Sequence, residues 1–340
     1  ALNVENDPEL AILLSQQAIS TWQAAAQEIP PDLEETLHQA VQNARAVHTW
    51  AMDGTALDIG FNPKTHHPYL VLADVDADTI RIWDPMLDKD LFRLQDAHIA
   101  SEIILADLSS DGSLIAIPHS DNVARVYDVA TEELVFELPT ETEFLLGTIF
   151  SPDGRLLGTF GQNYVGVWDL GTGALALPPL MDPTADFASF RLSFSGDGSR
   201  VVWSSPTNTF RVIDTGSGEF IAELEADFVE DISGVELSSD GNWVAASGFG
   251  NSLQVWDLRE GENQRPLNLW HTAITQYSMM FDAGGNHLAF AMQNGVVIWD
   301  LSRDEAYLTL SGRMDLIRHL AYNPSGEQFL TASGDGKAIL

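Results

Sequence analysis

From about residue 46 to the end, apolar side chains fall in short runs with a spacing near two. They are separated by clusters of Asp, Gly, Ser, Thr and Pro. A spacing of two predicts β-strands, and it excludes a coiled coil or helical solenoid, whose apolar positions repeat near 3.6. Six of the runs close on one dipeptide or a softened form of it: Trp83-Asp84, Tyr127-Asp128, Trp168-Asp169, Ile213-Asp214, Trp256-Asp257 and Trp299-Asp300. The Asp-to-Asp steps are 44, 41, 45, 43 and 43 residues. Half a period away runs a second marker, Asp111-Gly112, Asp153-Gly154, Asp197-Gly198 and Asp240-Gly241, then Gly284-Gly285 and Ser325-Gly326. Two markers in phase predict stacked copies of one unit, each too small to bury its own apolar face.

Each unit reads as four antiparallel strands. The first ends on an apolar residue (Phe61, Leu108, Phe150, Phe194, Leu237, Phe281, Tyr322) and runs into a turn such as Ser151-Pro152-Asp153-Gly154. There Pro presets φ and Gly accepts a positive one. A second strand, Leu156 to Phe160, leads through a polar turn to a third closed by Trp168-Asp169, and Gly171-Thr172-Gly173 turns into a fourth.

On these doubly phased motifs, residues 46 to 340 resemble the WD-repeat β-propellers. The resemblance implies an all-β, seven-bladed ring, since this stretch holds close to seven periods of about 43 residues. The seventh repeat stops at Leu340, soon after its third strand begins at Lys337. Propellers of this family close by lending an N-terminal strand to the last blade, so residues 46–50 are expected to pair with that strand and cover its edge. The family also implies a structural network of His, Ser or Thr, and Asp around each Trp. Ala97-His98 and Trp270-His271 resemble its Gly-His, Arg313 stands in the His position after Gly312, and Ser333 and Asp335 match its Ser and Asp. The Trp residues 168, 256 and 299 are expected to lie largely buried between neighbouring blades.

Residues 1–45 follow a different rule. Asp7-Pro8-Glu9 is a helix start, with Leu10, Leu13, Leu14 and Ala18 at helical spacing behind it. Ile29-Pro30-Pro31 breaks that helix, and Asp32 with Glu35 forms a capping box for a second carrying Leu33, Leu37, Val41 and Ala44. A short α-hairpin is therefore expected ahead of the propeller. Its order resembles the helical linker of large bacterial regulators in which a STAND-class signalling ATPase precedes a WD propeller; a plain structural spacer is the other reading. A first residue other than Met and the stop at Leu340 suggest a segment of a longer protein.

Charge narrows the partners. The chain carries 50 acidic and 16 basic residues, only three of them lysines, for a formal net charge of −34. Such a field repels nucleic acid and anionic lipid. It suits either a self-repelling surface, including one adapted to high salt, or a basic partner. No apolar stretch approaches a membrane span and no signal peptide is visible, so a cytoplasmic location is expected. With no Cys, disulfide and thiol chemistry are excluded.

Candidate chemistry is sparse. Asp74-x-Asp76-x-Asp78 opens like a calcium loop but has Thr79 in place of the turn Gly and Pro85 in place of the bidentate Glu. Gly334-Asp335-Gly336-Lys337 lacks the upstream Gly and downstream hydroxyl of a phosphate loop. His66-His67 has no third ligand in view and reads as a solvated loop. No catalytic, cofactor or metal residue is assigned. Two function classes remain, a non-catalytic interaction or sensor propeller in a larger bacterial signalling protein, and an enzyme with its site in the central channel. The lack of converging His, Arg and carboxylate motifs favours the first. In this family, recognition uses the face whose loops enter each first strand. Counting back six positions from the strand-ending residue places Glu102, Phe144, Asp231 and Leu316 there, two apolar groups within an acidic rim.

Overall fold

The computed structural model describes residues 48–74, 78–95, 105–181, 191–204, 208–227, 232–248, 252–259, 266–268, 274–292, 295–311, 317–323 and 328–340. The α-hairpin expected over 1–45 lies outside them. Seven antiparallel sheets are present among the described residues, and their strands follow sequence order from one sheet to the next. Blades 1 to 6 span 55–95, 107–139, 145–181, 192–225, 232–268 and 274–311. Blade 7 combines 317–339 with a strand from the start of the chain.

That borrowed strand, Thr49–Ala51, is antiparallel to Lys337–Ile339, with Thr49 opposite Ile339, Trp50 opposite Ala338 and Ala51 opposite Lys337. Reciprocal bonds between His48 and Leu340, 3.2 and 3.0 Å, extend the pairing by one residue. The third strand of the last blade thus gains a neighbour on the side where its own chain ends.

No blade holds a core of its own. The seven clusters of buried apolar side chains each draw on two adjacent blades. One joins Val71, Ile80 and Phe92 of blade 1 to Ile115, Ile117 and Tyr127 of blade 2; another joins Leu70 and Leu72 of blade 1 to Leu330 and Ala338 of blade 7. The aromatic of the Trp-Asp motif belongs to these seams. Trp168 is buried between blades 2 and 3 with its Nε1 donating to Thr159 Oγ1 at 2.9 Å, and Trp256 is fully buried between blades 4 and 5 against Phe210. Trp299 is the least enclosed of the three. It is half-buried at the edge of the seam between blades 5 and 6, as Trp83 is between blades 7 and 1. The ladder to the outermost strand shifts register at this position in blades 1, 2, 4 and 6, and the residue after the shift is half-buried at Trp83 and Trp299 but buried at Tyr127 and Ile213.

Blade 3 also departs from the four-strand plan. Its outer strand is split into Ala174–Leu175 and Leu180–Met181, both paired to Tyr164–Asp169. Pro178 and Pro179 fall in the gap and have no N–H to donate to a ladder.

The paired markers are turn chemistry. In four blades a Ser hydroxyl donates to the Asp of Asp-Gly while accepting the N–H that opens the next strand: Ser109 with Asp111 and Leu114, Ser151 with Asp153 and Leu156, Ser195 with Asp197 and Arg200, Ser238 with Asp240 and Trp243. The following Gly takes φ near 70°, as at Gly154 (72°) and Gly241 (68°). The Trp-Asp carboxylate caps the opposite kind of turn. Asp84 accepts from Met86 and Leu87, Asp214 from Gly216 and Ser217, and Asp300 from Ser302 and Arg303. Asp169 and Asp257 do the same for Thr172 and Arg259.

Candidate functional site

Both marker turns lie at the same ends of the strands, so the propeller has a turn face and a loop face. The turn face is cross-linked at the seams of blades 2 and 3 and of blades 4 and 5. Ser110 Oγ donates to Pro152 O at 2.6 Å, Gly196 N to Ser239 O at 2.8 Å and Arg200 Nη1 to Gly241 O at 2.5 Å, each from one blade to the next. Its carboxylates are engaged within the turns. Hydrogen bonds from Ser199 and Ser195 hold Asp197 down at about 2.

The loop face carries the entries into each first strand, and there Phe144 stands 54 % exposed beside the exposed Glu143 and Glu141. Its backbone is fastened. Phe144 N donates to Thr142 Oγ1 and Phe144 O accepts from Gln162 N, while the next residue, Leu145, donates to Asn122 Oδ1 of blade 2. Phe144 therefore sits on the seam of blades 2 and 3, held from both sides and not folded into it. Glu102, Asp231 and Leu316 lie outside the described residues, so of the four sequence-assigned positions only Phe144 is placed.

The innermost strands hold acidic groups that the motif search passed over. Asp58 of blade 1 accepts from Leu108 N of blade 2 at 3.4 Å, and Asp107 of blade 2 accepts from Phe150 N of blade 3 at 2.5 Å. Ser193 of blade 4 accepts from Leu237 N of blade 5 at 3.2 Å and donates to Glu236 at 2.8 Å. His319 of blade 7 bonds Ala56 O of blade 1 at 3.1 Å. These are latches between successive blades. Burial raises all three carboxyls, Asp107 and Glu236 to about 7; Asp58 is raised further by Asp107, with which it shares a hydrogen bond. Burial also pushes His319 down to about 4, so the ring is neutral and its Nε2–H donates. Gly60 makes room for this cluster, because a Cβ there would stand 2.4 Å from the Tyr69 hydroxyl. The signal in the sequence was an acid one or three places before a strand-ending apolar residue.

Asp58 and Asp107 come together on blades 1 and 2, whereas Glu236 stands apart on blade 5, and each of the three accepts from a backbone N–H or hydroxyl of a neighbouring blade. None borders the small cavity, about 80 Å³, between blades 7 and 1, which is lined by Thr55, Ala56, Arg318, Ser333 and glycine backbone. Beside that cavity, Lys337 pairs with Asp335 at 2.8 Å, which accounts for the lysine of the Gly-Asp-Gly-Lys run. The reading of His66-His67 as a solvated loop holds for one of the two. His66 is exposed with φ 59°, but His67 Nδ1 lies 3.0 Å from Oδ2 of the buried Asp84. Among the described residues no group of three or more His, Asp or Glu is arranged to hold a metal ion, and no helix is long and apolar enough to cross a membrane.

Comparison with known proteins agrees with this architecture. The family model described as WD domain, G-beta repeat, matches residues 218–257, from a turn of blade 4 to Trp256-Asp257 of blade 5. An uncharacterized WD repeat-containing protein of Synechocystis is 24% identical over 239 residues, 70% of this chain and 68% of that protein. Rat transducin beta-like protein 3 is 30% identical over 123 residues, 36% of this chain and 15% of that protein. Drosophila protein groucho is 25% identical over 186 residues, 54% of this chain and 25% of that protein. The matched regions thus span only a small part of the two animal proteins.

Proposed function

We propose that this chain, a WD-repeat β-propeller, is a non-catalytic platform that binds another protein, or another domain of a longer chain, through the face bearing Phe144. The observation that carries this reading is the exposed ring of Phe144 on backbone fastened to Thr142 and Gln162. An aromatic held open on rigid backbone gives up little conformational entropy on binding and gains its burial, the property of an interface anchor. Glu141 and Glu143 beside it form part of a charged rim that favours a basic partner. Repeat position in the sequence alone assigns Glu102, Asp231 and Leu316, which lie outside the described residues, to the same surface. The net charge of −34 argues against nucleic acid and anionic lipid as ligands of this segment. The linker-like pattern of residues 7–45 supports a place beside the signalling domains of a bacterial regulator, in the cytoplasm.

The test is affinity for the neighbouring domains or a purified partner, compared between wild type and Phe144→Ala. Loss of about tenfold or more in a variant with an unchanged melting curve supports the reading. Equal affinity removes this face from consideration. Strong weakening by salt identifies the partner as basic.

A further inference from the structure

Eight large apolar side chains are exposed among the described residues, and Phe144 is the single one on the loop face. Five of the others, Leu134, Val135, Leu175, Phe220 and Ile221, lie at one repeat position, the start of the outermost strand in blades 2, 3 and 4. These strands end their sheets, at the rim of the ring. Near the rim the outer turn of one blade comes close to the outer strand of the blade before it. A Cβ on Gly173 of blade 3 would lie 3.5 Å from the Phe136 ring of blade 2, and one on Gly218 of blade 4 would lie 3.4 Å from Leu177 of blade 3.

We propose that this arc is a second docking surface, for a partner segment whose apolar side chains are flanked by Lys and Arg. Blades 2 and 4 repeat one pattern, Glu133-Leu134-Val135-Phe136-Glu137-Leu138 and Glu219-Phe220-Ile221-Ala222-Glu223-Leu224, with the same order of exposed, half-buried and buried positions along both strands. Apolar pairs are thus bracketed by exposed acids, with Glu132 and Glu225 adding to the same edges. Arg125 and Arg211 are already taken by Glu137 and Glu223. The bracket repels two occupants close at hand. A second copy of the chain brings its own net charge of −34, and residues 1–47 carry seven acidic residues against one arginine. Apolar area with a complementary positive border is what this surface fits. At blade 1 the pattern ends, because Lys89 and Asp90 take the place of the acid and the apolar residue.

The probe is a fluorescent peptide of about five helical turns with a Leu face and a Lys face, titrated against the full chain and followed by anisotropy. An oligolysine of equal charge and a Leu/Glu peptide serve as controls. Binding of the Leu/Lys peptide that weakens about tenfold in Leu134→Ser/Leu175→Ser/Phe220→Ser, but not in Phe144→Ala, establishes the surface and separates it from the loop face. Glu133→Gln/Glu219→Gln, which alters exposed charge alone, should bind more weakly and with less dependence on salt. Equal affinity in the triple variant overturns the proposal. So does oligolysine binding as tightly as the amphipathic peptide, or no binding of the amphipathic peptide at all.

Discussion

The carboxyl group of Asp107 reaches out of blade 2 and accepts the backbone N–H of Phe150, 2.5 Å away in blade 3. Its neighbour Asp58 makes the corresponding contact from blade 1 to Leu108. Asp107 lies close enough to push the buried Asp58 carboxyl further up, which favours a proton held between the two acids.

This pair gives stability a pH dependence of defined sign. In the unfolded chain an Asp releases its proton near pH ~3.9, whereas folded Asp107 keeps it to about 7. Between those values the folded state binds more protons, so the contribution of Asp107 falls as pH rises through that window. Asp107→Asn keeps an acceptor for Phe150 and offers an N–H to Asp58. Denaturant titrations from pH 4.5 to 8.5 should show the variant gaining on wild type as pH rises. A constant difference, or one of opposite slope, contradicts the shared proton.

The two Trp environments should separate by stability. Trp256→Ala removes a fully buried ring and is expected to cost about 3–5 kcal/mol. Trp299→Ala starts from a half-buried ring and should cost less. Urea midpoints measure both, and an equal or larger loss at Trp299 would count against the seam description.

Gly154 isolates the backbone cost of the Asp-Gly turn. Its φ is 72° and a Cβ would meet no atom within 4 Å. Gly154→Ala should therefore destabilise by about 1–2 kcal/mol through conformation alone. Gly154→Asn should cost less, since Asn tolerates the left-handed region. Equal stability of Gly and Ala at this site would contradict the turn geometry.

Closure predicts a boundary effect a few residues wide. Removing residues 1–47 leaves Thr49–Ala51 paired to Lys337–Ile339 and should leave the oligomeric state unchanged. Removing residues 1–51 uncovers the edge of the last blade and should cause self-association in light-scattering chromatography. Identical behaviour of the two truncations would mean that the borrowed strand does not protect this edge.

The ring was legible in the sequence because its markers act locally. Asp153 and Gly154 shape one turn and Asp169 caps another, so each needs only neighbours a few residues away. The break in blade 3 was not read, because the repeat pattern carried a fourth strand straight through Pro178-Pro179. The latches were not legible, since Asp58 and Asp107 are 49 positions apart and meet only after two blades have packed. The contact between His67 and Asp84 was not legible for the same reason, the two lying a full strand pair apart. Nor does any residue type announce that Trp299 is half-buried where Trp168 and Trp256 are buried. Of the candidate surface, repeat phase supplied Phe144, but the apolar rim went unseen because its members look like ordinary strand residues until the outer edge of each sheet is known.

The central claim is that the loop face around Phe144 is where a partner sits. Replacing Phe144 with the photoreactive p-benzoylphenylalanine, with Arg155 on the turn face replaced in a parallel sample, tests it in living cells. The account predicts cross-links from position 144 to one dominant protein or domain of basic surface, with little from position 155. Equal labelling from both positions, or none from 144, would contradict it.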